Sequence, residues 1–501
     1  MATTTSNRLS SGIEGLDIVL GGGYPEGRIL LVRGVAGTGK TTAGLQFLRA
    51  GALAGKRCLC ITLLQTLQEL EDVAASHGWT LDGIDVMELP AEVRQTATAE
   101  QTVFSAADIE LREVTDTIEE AIQRYQPECL VIDSLSELGA LVNTGYQLRR
   151  QVLRLKEILD AIQCTTLLSA GPSGELDMET LETLVHGVLR LEMIAPSFGR
   201  SRRRVLVSKM RGMQFTEGYH DARIDTGVGL AVFPRLLVGR GIAAGRREAV
   251  PSGNTAIDAL LGEGLLEGTT CAITGTTGAG KSSLVGQYIY AAGHRGVSSV
   301  VFCFDERPEI FVRRAAGLGM PLEPLIDEGL VRLRQIDVGE ISPGQLNHLI
   351  RTAVEVEGVR IVVLDSLSGY LQSMPGEHEL ITQLHDLLSY LSGAGVLSLM
   401  VVASHGVFGR VEAPIDVSYI ADTVVMLRHF ESRGRIRRCI AVLKKRYGNH
   451  ETTIREVQLG PSGLVVGEPL TAFTGVLTGL PRYEGDTNTL LDDDLRPSGL
   501  E

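Results

Sequence analysis

The chain has 501 residues, 44% of them hydrophobic and 22% charged, proportions of a globular protein that exclude a disordered polymer. Its length exceeds one ordinary core and calls for two or three domains. A net charge of −14 weighs against a dedicated nucleic-acid coat, which needs concentrated Lys and Arg, and no apolar run approaches the roughly 20 residues that span a bilayer.

Aromatic residues make up only 5%, so the core must be aliphatic, as in α/β proteins built on Val, Ile and Leu strands. The seven cysteines form no CxxC pair. Cys58, Cys60, Cys129, Cys271 and Cys303 lie in apolar, strand-like runs and read as buried free thiols, which suits a reducing cytoplasm. The opening MATTTSNRLS carries no apolar signal core.

Taken in chain order, Ser11 to Thr42 reads SGIEGLDIVLGGGYPEGRILLVRGVAGTGKTT. The strand RILLVRG runs into GVAGTGKT (Gly34–Thr41), which fits G-x-x-x-x-G-K-[ST], and then into the helix TAGLQFLRAG. Phosphate binding requires this order. Glycines let successive backbone N–H groups point at the phosphates, and the helix N-terminus adds the positive end of its dipole. The candidate cradle is Gly34, Gly37, Thr38, Gly39, Lys40, Thr41 and Thr42, with Lys40 reaching the β/γ-phosphates of ATP and Thr41 offering a hydroxyl to Mg²⁺. Further on, CLVID ends at Asp133, a candidate magnesium holder at the sheet edge where α/β proteins bind ligands. Arg200, Arg202, Arg203 and Arg204 then precede Lys209 and Arg211. That K-x-R pair is a candidate cationic finger for a neighbour's γ-phosphate, and a finger acting in trans implies a ring. The arginine cluster reads as a solvated hairpin or a subunit interface before a nucleic-acid contact, because no aromatics are interleaved.

After a Gly- and Arg-rich stretch without periodicity, the chain repeats itself. Ser252 to Ser283 reads SGNTAIDALLGEGLLEGTTCAITGTTGAGKSS, and Asp258 precedes Lys281 by the same 23 positions that separate Asp17 from Lys40. The second cradle is Gly275, Thr277, Gly278, Ala279, Gly280, Lys281, Ser282 and Ser283, with Ser282 as the magnesium hydroxyl. Asp365 repeats Asp133, and Lys444 and Arg446 repeat the K-x-R pair behind Arg433, Arg435, Arg437 and Arg438. The halves differ at one informative place. VVFCF runs into Asp305 and Glu306, whereas the same offset from Lys40 falls on Leu64 and Gln65. A carboxylate there can polarise the attacking water or hydroxyl; leucine cannot accept a proton, and glutamine is a poor base. The expected division is a first domain over 1–235, a linker over 236–250, a second domain over 251–470 and a partly disordered tail over 471–501.

These motifs together resemble the KaiC family, double-domain RecA-like ATPases named for a circadian-clock protein. The resemblance covers roughly Arg8 to Gly467 and is most specific in IAVLKKRYGNHETTIREVQLGPSGL (Ile440–Leu464). It implies an α/β fold of two tandem RecA-like P-loop domains with mostly parallel twisted sheets. It also implies a homo-oligomeric double ring, a hexamer, with ATP and Mg²⁺ at subunit interfaces, slow hydrolysis, and Ser/Thr autophosphorylation in the second domain. The family pattern carries paired glutamates at the catalytic strand end of both domains, so Leu64-Gln65 is a departure. The family's phosphoacceptor pair falls on Ser418-Tyr419 and a further acceptor on Ala413, leaving Ser418 as the candidate acceptor. The tail shows no match to the clock protein's partner-binding segment. Regulatory partners stay unidentified; membrane is not expected and nucleic acid is disfavoured.

The expectation is therefore an ATP-binding oligomeric switch, with catalysis by Lys281, Asp305, Glu306, Lys444 and Arg446 and a first domain serving mainly assembly. A DNA-acting recombinase or helicase would instead show steeply salt-dependent DNA binding. A non-catalytic scaffold glued by ATP would have no use for the carboxylates of the second half.

Overall fold

A computed structural model describes residues 7–89, 106–136, 145–171, 178–195, 199–236, 247–337, 339–372, 380–403, 419–432, 434–476 and 482–483. The chain divides into two compact units, the first ending at Arg235 and the second starting at Leu236. Each carries one nine-stranded sheet.

In the first unit the strands are β1 (Ile29–Arg33), β2 (Cys58–Thr62), β3 (Ile84–Glu88), β4 (Cys129–Asp133), β5 (Thr165–Ala170), β6 (Gly187–Ile194), β7 (Arg202–Met210), β8 (Tyr219–Asp225) and β9 (Gly229–Phe233). Their order across the sheet is β9-β8-β7-β6-β1-β5-β4-β2-β3. Strands β1 to β6 pair in parallel, and β7, β8 and β9 add an antiparallel extension. In the second unit they are β10 (Thr270–Gly275), β11 (Ser299–Cys303), β12 (Val331–Gln335), β13 (Ile361–Asp365), β14 (Leu397–Ala403), β15 (Thr423–Ser432), β16 (Arg435–Lys445), β17 (Arg455–Gly460) and β18 (Gly463–Pro469). The order β18-β17-β16-β15-β10-β14-β13-β11-β12 is the first order with nine added to every label. The expected α/β class, mostly parallel and duplicated, is met in both units.

Strand alternation explains why these runs are apolar throughout. Successive side chains point to opposite faces, and a parallel sheet has both faces covered. Leu31, Ile61 and Ile132 enter one core of the first unit, while Leu30, Cys60 and Val131 enter the other. In the second unit Ile273, Val301 and Val363 face one way, and Ala272, Phe302 and Val362 the other. All seven cysteines are free and buried, including the five expected from their strand-like runs.

Two repeated features have local causes. Asp17 and Asp258 recur because each carboxylate accepts the backbone N–H at the start of the motif, Ser11 at 2.8 Å and Ser252 at 2.7 Å. The K-x-R pairs recur behind a β-bulge. The register of β6 on β7 slips between Val188 and Leu189, and that of β15 on β16 between Val424 and Val425. In each case one residue is left unpaired immediately before the lysine, Ser208 before Lys209 and Leu443 before Lys444. A bulge re-aims the side chains that follow it. Beyond residue 470, Val476 is buried and Phe473–Thr474 pairs with Arg482–Tyr483.

Candidate nucleotide sites

Each P-loop leaves the C-terminal end of a central strand, β1 or β10, and enters a helix, Lys40–Leu53 or Lys281–Gly293. The N-cap residues Gly39 and Gly280 have φ of +100° and +103°, in the left-handed region that glycine adopts without a Cβ penalty. Neither helix has a side-chain cap, which leaves its first N–H groups available to phosphate oxygens. The lysines close the loops. Lys40 Nζ donates to the carbonyls of Gly34 at 2.7 Å and Val35 at 3.1 Å; Lys281 Nζ donates to Gly275 and Thr276, both at 2.8 Å. Thr38 folds back onto the Val35 carbonyl at 2.8 Å. Thr42, Ala279 and Ser283 are buried under the loops, whereas Thr277 and Gly278 lie exposed at the tip.

Beside each loop sits the strand-end aspartate. Thr41 Oγ1 donates to Asp133 Oδ2 at 2.6 Å, and Ser282 hydrogen-bonds Asp365. A hydroxyl and a carboxylate so placed could hold a divalent cation whose remaining ligands are waters and phosphates. The two sites differ in how satisfied that carboxylate is. Asp133 Oδ1 also accepts from Ser169, on β5. The matching position on β14 is Val401, since Val32 pairs Ser169 where Ile273 pairs Val401. Asp365 Oδ2 is consequently buried without a partner. An orphaned carboxylate oxygen in this position fits a cation.

Electrostatics follow from burial. Burial pulls the Lys281 ammonium down from 10.5 to about 8, with Asp365 acting the other way. Lys40 moves in the same direction for the same reason, opposed by Asp133. Burial raises Asp365, while the Ser282 hydrogen bond and Arg314 hold it down. A drop to about 8 corresponds to roughly 3 kcal/mol in favour of neutral lysine. Below pH 8 the lysine is charged folded and unfolded, so the cost is fully present. Between 8 and 10.5 the unfolded chain binds the extra proton, so stability rises with pH. Wild type therefore gains stability relative to Lys281→Met across that window, by up to roughly 3 kcal/mol. Urea unfolding without nucleotide at pH 7.5 and 10 measures the gap; a pH-independent gap would contradict this account.

At the ends of β2 and β11 the halves diverge as the sequence indicates. Asp305 Oδ2 accepts from Ser366 Oγ at 2.5 Å, next to Asp365. Glu306 is ion-paired with Arg314, and both act electrostatically on Asp365. In the first unit Leu64 is 60% exposed, and the Gln65 side-chain oxygen is buried without a partner.

The K-x-R residues are tied down within their own units. Lys209 donates to the carbonyls of Glu182 and Val185, and Arg211 to that of Thr183 at 2.8 Å. They line a cavity of about 880 Å³ together with Arg33 and Arg190, both ion-paired with Glu182, and with Glu179. Lys444 donates to the Ala421 carbonyl at 2.8 Å, and Arg446 to Tyr419 O at 2.6 Å and Asp422 Oδ1 at 3.4 Å. Ser418 and Ala413 lie outside the described residues.

Some site residues escape sequence reasoning. Arg203 Nε donates to the Gly37 carbonyl at 3.1 Å and Arg438 Nε to that of Gly278 at 3.2 Å, so one arginine of each cluster clasps its own P-loop. His429 on β15 meets Thr276 Oγ1 at 3.1 Å. Ser169 belongs to the same group. Their sequence signal is weak because they reach the loops through sheet neighbours.

A lysine at a helix N-terminus beside a strand-end aspartate, set twice on matching mostly parallel sheets, defines a tandem RecA-like P-loop ATPase. A family model described as the KaiC ATPase matches residues 9–236 and again 250–471. The chain is 25% identical over 484 residues to the circadian clock protein KaiC3 of Synechocystis sp., covering 95% of each chain. It is 28% identical over 492 residues to the circadian clock oscillator protein KaiC of Thermostichus vulcanus, covering 96% of this chain and 93% of the relative. The chain belongs to the KaiC ATPase family. Among the described residues no helix is long and apolar enough to cross a membrane.

Proposed function

We infer that this chain is an ATP-driven, cytoplasmic ring-forming switch in which the second unit hydrolyses ATP and the first binds it mainly for assembly. One observation carries the division. Two P-loops of the same geometry stand beside Asp305-Glu306 in one unit and Leu64-Gln65 in the other. In the second unit Lys281 would meet the β/γ-phosphates, and Ser282 and Asp365 would hold Mg²⁺, which supplies charge neutralisation between those phosphates. Glu306 or Asp305 would orient and deprotonate the attacking hydroxyl. Thr41 and Asp133 would hold the ion in the first unit. Lys209, Arg211, Lys444 and Arg446 would face a neighbour's γ-phosphate in the assembled ring, and the cavity beside Lys209, where Arg33, Arg190, Lys209 and Arg211 outnumber Glu179 and Glu182, supports that reading. Hydrolysis is tested by phosphate release from the full chain with Lys281 or Glu306 replaced.

The same site would act as a Ser/Thr autokinase when a protein hydroxyl replaces water, with Ser418 as acceptor. Supporting this, the Arg446 guanidinium donates to the backbone carbonyl of Tyr419, the residue directly after Ser418, and to the side-chain carboxylate of Asp422. A phosphate of about −1.5 to −2 charges there would draw such an arginine and shift an interface. The expected result is one added phosphate in the intact mass after incubation with Mg-ATP, absent in Ser418→Ala. No added phosphate on wild type leaves a plain ATPase, and equal phosphate on both proteins removes Ser418 as the acceptor.

A further inference from the structure

Glu306 and Arg314 are eight residues apart, one before and one within the helix Pro308–Gly317 that follows β11. Arg314 Nη1 donates to Glu306 Oε1 in an ion pair. Its guanidinium lies over the ring of Phe311, 5.1 Å from the centroid, and Phe311 is 1% exposed in the core. Its other terminal nitrogen, Nη2, is buried without a partner. The group is therefore fixed from below by a core aromatic and from one side by a carboxylate, with a free donor left over. A surface ion pair contributes little, but both partners of this one are partly buried.

The first unit supplies the contrast. Its helix Leu67–Ser76 occupies the place of Pro308–Gly317, and the buried positions coincide, Leu70 with Phe311 and Ala74 with Ala315. In that register Arg314 falls on Val73, and Glu306 on Gln65. The acid and its cation are absent together, and the Gln65 oxygen is buried without a partner. Glu306 follows the end of β11, where Cys303 pairs with Asp365 and the Phe304 N–H donates to the Asp365 carbonyl at 2.7 Å, so the pair stands at the strand-end corner of the second site, and both groups act electrostatically on Asp365.

We propose that Arg314 is a positioning residue supplied in cis: it holds the Glu306 carboxylate in one orientation beside Asp365, so that the acid meets the attacking water or hydroxyl without first ordering a flexible side chain. This deepens the reading that the second unit hydrolyses ATP. An unrestrained glutamate must lose rotamer freedom at each turnover, and a misplacement of about 1 Å costs on the order of 10²-fold in rate. The planar guanidinium fork suits the task better than an ammonium. Nothing is transferred to or from Arg314; the proton from the attacking oxygen goes to Glu306.

The test is steady-state ATP hydrolysis by the full chain, with kcat and KM measured for Arg314→Met, Arg314→Lys, Glu306→Gln and the double variant E306Q/R314M. Met keeps the stem that covers Phe311. Expected is a fall in kcat of about tenfold or more for Arg314→Met with KM within about threefold, partial recovery in Arg314→Lys, and no further fall when R314M is added to E306Q. An unchanged kcat in Arg314→Met alongside a crippled Glu306→Gln overturns the role of Arg314 and leaves the hydrolysis reading intact. The same fractional fall in the E306Q background, or a loss that Lys does not recover, likewise overturns it, because the arginine then acts independently of the acid. Wild-type turnover in Glu306→Gln overturns both.

Discussion

Replacing Lys281 by alanine is expected to lower ATP turnover by about 10²–10³-fold, the effect of removing one preorganised donor from a developing charge. The lysine is held for this by the fold. It opens the helix after β10, it is 7% exposed, and its ammonium is fastened to the Gly275 and Thr276 carbonyls, so it waits at the phosphate position. The second unit also carries Asp305 and Glu306 where the first has Leu64 and Gln65, so little residual turnover is expected from the first. Phosphate release under saturating Mg-ATP measures the loss. A Lys281→Ala chain that retained half the wild-type rate would move hydrolysis to the first unit.

Lys40→Ala is expected to act differently, by dissolving the ring. If nucleotide in the first unit sits between a P-loop and a neighbour's Lys209-x-Arg211 strand, its binding energy belongs only to the assembled state. Saturation at about 1,000 times Kd would contribute roughly 4 kcal/mol per site. The site without Lys40 loses most of that. Light scattering on a sizing column at micromolar protein should find an ATP-dependent oligomer for wild type and mainly monomer for Lys40→Ala. Turnover per chain within whatever rings remain should stay close to wild type. A wild-type monomer under saturating Mg-ATP would remove assembly from the account.

Most of the fold was readable in the chain because its determinants are local. A strand, a glycine loop and a helix occur in sequence around Lys40 and again around Lys281, and each aspartate ends an apolar run. The duplication made both readings stronger than either alone and exposed Leu64-Gln65 against Asp305-Glu306. What escaped depends on neighbours across the sheet. Ser169 reaches Asp133 from the adjacent strand, 36 positions away. Arg203 and Arg438 reach the P-loops from a strand two places over. Within a run of arginines nothing marks which one turns inward. Arg314 is the instructive case. Extending the repeat comparison nine residues past Asp305 would have set it against Val73, but without the Glu306 contact the difference reads as ordinary surface variation. The bulges before Lys209 and Lys444 were also invisible, since an extra residue in one strand shows only against its partner.

The central claim is that equivalent P-loops serve different ends because the acids beside them differ. Its most direct test compares Glu306→Gln with Gln65→Ala in phosphate release per assembled chain. The account predicts a fall of about 10²–10⁴-fold for Glu306→Gln, the usual contribution of a positioned base, and little change for Gln65→Ala. Wild-type release from Glu306→Gln together with lost release from Gln65→Ala would reverse the division of labour.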